Sequence, residues 1–111
     1  MSKINLAITG CMGRMGQQLI KSARKDKSIK LVTLTENFYV SNRIGGIKPE
    51  LNTENAFSKA NVIIDFTIPK CTFEILKIAS KLKKKVVIGT TGFSKREEGL
   101  IKKFAKKIPI L

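Results

Sequence analysis

Short runs of β-branched and aliphatic residues alternate with longer amphipathic segments along the whole chain. Such runs are typical of strands buried in a sheet. The predicted strands cover 3–9, 29–35, 61–67 and 85–89, and a further strand begins at 108–111. Apolar residues at helical spacing predict helices at 13–27, 69–82 and 94–105, with a brief one at 53–59, and turn-forming residues mark 37–51 as a loop. The alternation of strand and helix predicts an α/β fold with a doubly wound parallel sheet.

Two of the predicted helices have a well-defined apolar face, which we expect to pack on the sheet. In the first helix this face comprises Met15, Leu19, Ile20 and Ala23. In the last helix it comprises Leu100, Ile101, Phe104 and Ala105. The last helix is predicted to open on a capping box, in which Ser94 and Glu97 each bond the other residue's backbone amide.

The sequence stops inside an apolar stretch, Ile108-Pro109-Ile110-Leu111. Chain termini are normally polar and frayed, so a free carboxylate on such residues is unusual. We therefore expect a sheet that is truncated at its last strand, in a chain that is the front part of a longer protein. The 111 residues suit one domain, spanning 1–111.

The charge is strongly positive and evenly spread. Lysine and arginine number 22 against 8 aspartate and glutamate, a net charge of +14. Residues 1–60 carry 10 basic and 4 acidic groups, and residues 61–111 carry 12 and 4. With one tyrosine and no tryptophan, the chain lacks the aromatic residues that single-strand binders interleave with their cations. A lysine-rich surface is favoured over a nucleic-acid site, and a basic nucleic-acid binder stays an alternative.

Several classes of protein and of site are disfavoured. No apolar run approaches the roughly 18 residues of a membrane span, and the N-terminus lacks the apolar region of a secretory signal. Cys11 and Cys71 lie far apart without a C-x-x-C motif, which supports neither a disulfide framework nor a zinc site. We therefore expect no metal site and a cytoplasmic setting. The chain has no histidine, the most common acid–base group in catalysis, and we assign no catalytic residue to it.

A glycine-rich loop joins the first strand to the first helix, with the sequence Gly10-Cys11-Met12-Gly13-Arg14-Met15-Gly16. The amides and positive dipole end of a helix N-terminus favour anions, and glycines let a pyrophosphate approach the backbone. The spacing differs from the G-x-G-x-x-G of most dinucleotide-binding loops. We predict that Gly10 makes the tight turn, Gly13 the close approach and Gly16 the contact between helix and sheet. The loop predicts a Rossmann-like dinucleotide site, with a purely structural turn as the alternative.

Polar residues at other strand ends extend this prediction. Glu36 ends the second strand 20 residues after Gly16, a position from which an acid accepts hydrogen bonds from ribose hydroxyls. The segments Asp65-Phe66-Thr67 and Gly89-Thr90-Thr91-Gly92 follow the strands at 61–67 and 85–89. In a doubly wound sheet these ends meet at one crevice. The simplest role for Asp65 is to cap backbone amides, and the simplest role for Phe66 is to pack in the core.

In their order and spacing these motifs, with the closing Ile108-Pro109-Ile110, resemble the 4-hydroxy-tetrahydrodipicolinate reductase (dihydrodipicolinate reductase) family over nearly the whole chain, least at 37–60. The resemblance implies a bacterial enzyme of lysine and diaminopimelate biosynthesis that reduces 4-hydroxy-tetrahydrodipicolinate to tetrahydrodipicolinate with NADH or NADPH. It implies that the loop holds the pyrophosphate, that Glu36 holds the adenosine ribose, and that the later motifs border the nicotinamide and the substrate carboxylate. The cofactor-binding residues so implied are Gly10, Cys11, Met12, Gly13, Arg14, Met15, Glu36, Phe66, Thr67, Gly89, Thr90 and Thr91.

The chain differs from many members of this family in lacking two arginines, and it is also shorter. Many members have arginines, one of them suited to the 2′-phosphate of NADPH, at the positions of Asn37 and Ile68. We therefore predict that NADH binds at least as well as NADPH. The family's substrate domain, with its histidine motif and homotetramer interface, is not in this sequence. We expect a cofactor-binding half that is inactive alone, and a stand-alone, non-catalytic nucleotide-binding module is the alternative.

Overall fold

The computed structural model describes residues 3–111. Its elements, in chain order, are β1 (Ile4–Thr9), α1 (Arg14–Lys25), β2 (Ile29–Glu36), β3 (Glu50–Leu51), α2 (Glu54–Phe57), β4 (Val62–Asp65), α3 (Pro69–Leu82), β5 (Lys85–Ile88) and α4 (Lys95–Ala105). Within these residues the strands form one parallel sheet of five, in the order β3-β2-β1-β4-β5. The predicted α/β fold is confirmed: the sheet is Rossmann-like, and its strand order reverses between β1 and β4.

Apolar clusters cover the sheet on both faces. Successive residues of β1 point to opposite sides, so that Ala7 joins one cluster while Leu6 and Ile8 join the other. Helices α2 and α3 complete the first cluster, and α1 completes the second. Because both faces are covered, the carboxyl edge of the strands is where polar groups from several elements meet.

Local sequence signals set where the helices begin. Thr53 caps α2, its hydroxyl accepting from the Ala56 amide at 3.1 Å. Pro69 occupies the start of α3, where no amide is needed. The predicted capping box of α4 is confirmed: the Ser94 hydroxyl accepts from the Glu97 amide at 3.1 Å, and the Glu97 carboxylate accepts from the Ser94 amide at 2.8 Å.

The predicted apolar faces of α1 and α4 are partly wrong. Met15 is 50% exposed, because Gly16 takes the inward position in the first turn of α1, where the helix touches the preceding loop. On α4, Leu100 and Ala105 are exposed, and only Ile101 and Phe104 pack partly against the first cluster. Helix α4 packs beside α3 and contacts the first cluster along this narrow stripe, so a full amphipathic face is not buried there.

The remaining segments fit the predictions for loop and terminal strand. In the 37–51 loop, Ile44 and Ile47 pair around two glycines of positive φ, and β3 has only two residues. At the other edge of the sheet, Ile110 pairs in parallel with Val86, and the Leu111 amide donates to the Val86 carbonyl at 3.0 Å. The predicted strand at 108–111 is therefore present as a short pairing beside β5. Among residues 3–111, no helix has the length and apolar character needed to cross a bilayer.

Candidate functional site

The carboxyl ends of β1, β4 and β5 enclose a crevice against the start of α1. Its larger cavity, of about 450 Å³, is lined by Gly13, Arg14, Met15, Gly16, Phe66, Thr67, Gly89, Thr90 and Thr91. Its smaller cavity, of about 220 Å³, is lined by Gly10, Gly13, Glu36, Asn37, Phe66, Thr67, Ile68 and Cys71. Gly13, Phe66 and Thr67 line both, so the cavities adjoin. The structure thus brings the predicted site residues together around one crevice, except Cys11 and Met12, which line neither cavity.

Three backbone segments are in direct contact at the glycine loop: the start of α1, the loop itself and the residue after β4. Gly10 has a φ of +64°, which other residues rarely adopt, and a Cβ there would overlap the Phe66 carbonyl oxygen. A Cβ on Gly16 would in turn overlap the Gly10 carbonyl oxygen. We call this arrangement of Gly16, Gly10 and the Phe66 carbonyl the glycine stack. Gly10 thus makes the predicted turn. Gly16 makes a close contact, but against the backbone of the loop and not against the sheet as predicted.

Gly13 differs from the other two glycines of the motif because the fold constrains it less. It precedes α1 with φ −73° and ψ 165°, an ordinary extended conformation. A Cβ there would meet only the Gly10 carbonyl oxygen, at 3.3 Å. Beside it, the amides of Arg14 and Met15 donate to no acceptor within residues 3–111. The start of α1 therefore presents free N–H groups and a positive dipole end to the crevice.

The Glu36 carboxylate connects the end of β2 to the glycine loop. It is nearly buried, and it accepts from the Met12 amide at 2.9 Å and from the Asn37 amide at 3.2 Å. The Asn37 side chain donates to the Cys71 sulfur at 3.6 Å. Each carboxylate oxygen keeps a lone pair for a further donor, so Glu36 can accept from a ligand in the smaller cavity.

Cys11 belongs to the core and not to the surface of the crevice. It is wholly buried in the second apolar cluster, and its amide donates to the Thr35 carbonyl at 3.2 Å. Burial, with a smaller contribution from the Glu36 carboxylate, raises the pKa of the Cys11 thiol to about 11. The thiol therefore stays protonated at neutral pH, and Cys11 serves the loop by filling space beneath it.

Asp65, at the end of β4, is wholly buried and bonds four threonine hydroxyls. Its Oδ1 accepts from Thr9 and Thr67, each at 2.7 Å. Its Oδ2 accepts from Thr72 at 2.5 Å and from Thr90 at 3.1 Å. The expectation that Asp65 caps backbone amides is wrong, because in the described part of the chain its carboxylate accepts only from these hydroxyls. We call these five residues the Asp65 cluster.

The Phe66 ring forms a wall of the crevice and depends on Gly89. A Cβ on Gly89 would overlap three atoms of the ring, so one side of the ring lies directly against the backbone at the end of β5. The Gly89 amide donates to the Asp65 carbonyl at 2.8 Å, which fixes this strand end beside β4. Phe66 is half-buried, so the expectation of simple core packing describes only part of its ring.

The electrostatics of the crevice suit an anionic ligand held by backbone. Arg14 is the one cation and Glu36 the one carboxylate among the side chains that line its two cavities. The net charge of +14 attracts anions to the chain as a whole. Over the described residues, no group of three or more His, Cys, Asp or Glu side chains is placed to hold a metal ion.

Known proteins resemble the chain along its whole length. A family model described as "Dihydrodipicolinate reductase, N-terminus" matches residues 4–111. The 4-hydroxy-tetrahydrodipicolinate reductase of Pelagibacter ubique (strain HTCC1062) is 68% identical over 111 residues, which are 100% of this chain and 43% of that protein. The enzyme of the same name from Buchnera aphidicola subsp. Acyrthosiphon pisum (strain Tuc7) is 40% identical over 122 residues, covering 98% of this chain and 45% of that protein.

Solved structures share the fold. A dipicolinate-bound dihydrodipicolinate reductase from Paenisporosarcina sp. TG-14 superposes with a TM-score of 0.78 at 24% identity, covering 93% of this chain and 43% of that one. Homoserine dehydrogenase of S. aureus superposes equally well at 16% identity, with a TM-score of 0.78 over 98% of this chain and 32% of that one. The chain spans less than half the length of the curated relatives that it matches. It belongs to the dihydrodipicolinate reductase family, and it matches the N-terminal part of that family's reductases.

Proposed function

We propose that the chain binds NADH or NADPH in the crevice. In a longer protein it would be the cofactor-binding half of a cytoplasmic enzyme that reduces 4-hydroxy-tetrahydrodipicolinate to tetrahydrodipicolinate, in lysine and diaminopimelate biosynthesis. One observation carries this proposal: the free amides of Arg14 and Met15 lie at the crevice beside Gly13, the glycine of the motif that the fold constrains least. The names of the relatives supply the reaction.

The crevice has a group suited to each part of a dinucleotide. The amides of Arg14 and Met15 would hold the pyrophosphate, at the position where a side chain on Gly13 would intrude. Glu36 would accept from the hydroxyls of the adenosine ribose in the smaller cavity. The larger cavity, beside Phe66 and Thr67, would hold the nicotinamide ring, which supplies the hydride when the cofactor is bound.

The residues of this chain bind and orient the cofactor in our proposal, and none is assigned to proton transfer. Reduction of the substrate also requires a positioned acid and a group that holds the substrate carboxylate. We propose that these groups, and the homotetramer interface implied by the family, belong to the remaining half of the full-length relatives. The isolated chain would then bind dinucleotide weakly and turn over little or no substrate.

Replacing Gly13 by serine tests the proposal. A serine at this position precedes the helix and can bond the Met15 or Gly16 amide, so the melting temperature should stay within about 3 °C of that of the wild-type chain. The serine side chain would enter the space proposed for the pyrophosphate and can compete with it for the Met15 amide, so we expect the Kd for NADH to rise about tenfold, or 1.4 kcal/mol. Calorimetric titration gives the Kd, and ¹⁵N amide shifts show whether NADH reaches Arg14 and Met15.

The Gly99→Ala variant is the matched control, because Gly99 is an exposed helix glycine with open space around it and lies outside the crevice. Its Kd should equal that of the wild-type chain. NADH that leaves the Arg14 and Met15 amide shifts unchanged, or a Gly13→Ser variant with undiminished affinity, would refute the proposed site.

We also expect NADH to bind at least as tightly as NADPH. None of the residues that line the smaller cavity is a cation, and a 2′-phosphate would place its charge close to the Glu36 carboxylate. Measured at one ionic strength, a tenfold preference for NADPH, about 1.4 kcal/mol, would contradict this expectation. An Asn37→Arg variant supplies the missing cation and should shift the ratio of the two Kd values towards NADPH by about tenfold.

A further inference from the structure

We propose that Asp65 is a positioning residue of the crevice, which acts on the bound cofactor through the hydroxyls of Thr67 and Thr90. This role rests on the proposed function, because it concerns how tightly the crevice holds NADH. Asp65 itself is wholly buried and lines neither cavity, whereas Thr67 and Thr90 both line the larger one. The effect of Asp65 on a ligand must therefore pass through other residues.

The Asp65 cluster joins four elements at the carboxyl edge of the sheet. Thr9 ends β1, Thr67 follows β4, Thr72 lies near the start of α3, and Thr90 follows β5. All four hydroxyls bond one carboxylate, two on each oxygen, at distances from 2.5 to 3.1 Å. One side chain thus fixes the ends of the strands that border the reversal in strand order, where ligands bind in this class of sheet.

The Thr90 hydroxyl both accepts and donates a hydrogen bond, and it thereby links Thr67 to Asp65. Its hydroxyl oxygen accepts from the Thr67 amide at 2.9 Å. The hydroxyl donates to Asp65, whose carboxylate Oδ2 at 3.1 Å is nearer than its carbonyl oxygen at 3.4 Å. Hydrogen bonds to a carboxylate are stronger than those between neutral groups. A buried carboxylate is also costly unless donors surround it, so these hydroxyls stabilise Asp65 in its buried position. The Thr90 side chain is therefore held in one orientation from both sides.

The segment that follows β5 depends on these bonds for its position. Residues 89–93 form neither helix nor strand. In the described chain, their hydrogen bonds are those from the Gly89 amide to the Asp65 carbonyl, between Thr90 and Asp65, and from the Thr67 amide to Thr90. This segment supplies Gly89, Thr90 and Thr91 to the larger cavity. Loss of the Thr90 hydroxyl would leave that wall with one hydrogen bond, from the Gly89 amide, and with the packing of Phe93 on Phe73, so that the wall beside Thr90 would be less firmly held.

Two threonines of the cluster give a matched pair of variants in the full 111-residue chain. Thr9→Val and Thr90→Val each remove one hydroxyl from Asp65 while keeping the side-chain shape, and Thr9 lines neither cavity. Both variants should lower the melting temperature to a similar degree. We expect Thr90→Val to raise the Kd for NADH about fivefold, and Thr9→Val to leave it within about twofold of wild type. Thr90→Ser keeps the hydroxyl and should restore the affinity.

A double-mutant cycle separates positioning from direct contact between Thr90 and the ligand. Asp65→Asn keeps the size of the side chain and should also raise the Kd for NADH. The double variant Asp65→Asn/Thr90→Val should bind no more weakly than the weaker single variant, because both changes release the same segment. Independent losses that multiply would show that Asp65 does not act through Thr90 and would overturn the proposal. If Asp65→Asn does not fold, equal losses in Thr9→Val and Thr90→Val overturn it.

The failure of this inference is distinguishable from that of the proposed function. A wild-type chain that binds no NADH overturns the proposed function, and this role with it. A wild-type chain that binds NADH, while Thr90→Val and Asp65→Asn bind it equally well, overturns the positioning role alone. The ¹⁵N amide signals of Thr91 and Gly92 provide a further reading, since they should broaden in Thr90→Val and stay sharp in Thr9→Val.

Discussion

Substituting alanine for Gly16 is expected to destabilise the chain by about 3 kcal/mol, which lowers the melting temperature by roughly 10–15 °C. The added Cβ would overlap the Gly10 carbonyl oxygen and come within 3.0 Å of the Cys11 Cα and the Gly10 carbonyl carbon. These are backbone atoms, which cannot turn aside as a side chain can. The first turn of α1 must therefore move away from the loop. Thermal or urea unfolding followed by circular dichroism measures the change.

The control is the same substitution in another helix. Gly99 lies in α4, and a Cβ there meets no atom within 4 Å. Gly99→Ala should stabilise the chain by up to about 1 kcal/mol, because alanine loses less backbone entropy than glycine when a helix forms. Equal effects of the two substitutions would show that the close contact of Gly16 with the loop does not exist in solution.

Gly89→Ala is expected to produce the largest loss of ligand affinity, at least about tenfold in the Kd for NADH, or 1.4 kcal/mol. The new Cβ would occupy the position of the Phe66 ring. The ring is half-buried, so it can turn towards the crevice, where it would narrow the cavity proposed for the nicotinamide. The loss of stability should be smaller, about 1 kcal/mol, because a side chain and not a backbone segment moves. Fluorescence titration of NADH measures the affinity.

A second background tests whether the ring is the cause. In a Phe66→Ala chain there is no ring to displace, so Gly89→Ala should change the Kd by less than about twofold beyond the effect of Phe66→Ala itself. Undiminished NADH affinity in the single Gly89→Ala variant would contradict the placement of the ring. It would leave open the role of the glycine loop, which the Gly13→Ser experiment tests separately.

The sequence predicted the sheet and its crevice because the signals for both are local. Each buried strand is a short apolar run, and three of the four described helices begin at a capping threonine or serine or at a proline. The Gly10–Gly16 loop lies between the first strand and the first helix. Parallel strands then bring their carboxyl ends to one edge without further information. For this reason the sequence alone predicts that Glu36, Thr67 and Thr90 belong to one site.

The errors arose where contacts are distant in sequence or depend on backbone approach. Helical spacing assigns Met15 an inward position. It carries no information on how closely the first turn of α1 approaches the loop. The approach is so close that only a glycine, Gly16, fits on the inward side. The partners of Asp65 come from as far as 56 positions away. Threonines at several strand ends were the available signal, yet their hydroxyls could equally have faced solvent or backbone.

The glycine stack has a mechanical consequence. Helix α1, the end of β1 and the end of β4 touch through main-chain atoms at the reversal in strand order, with no flexible side chain between them. A displacement of α1 would therefore press directly on the end of β4 through the loop backbone. The crevice beside these contacts therefore has its shape before a ligand binds. The ordering entropy that a mobile loop would lose on association has already been lost when the chain folds.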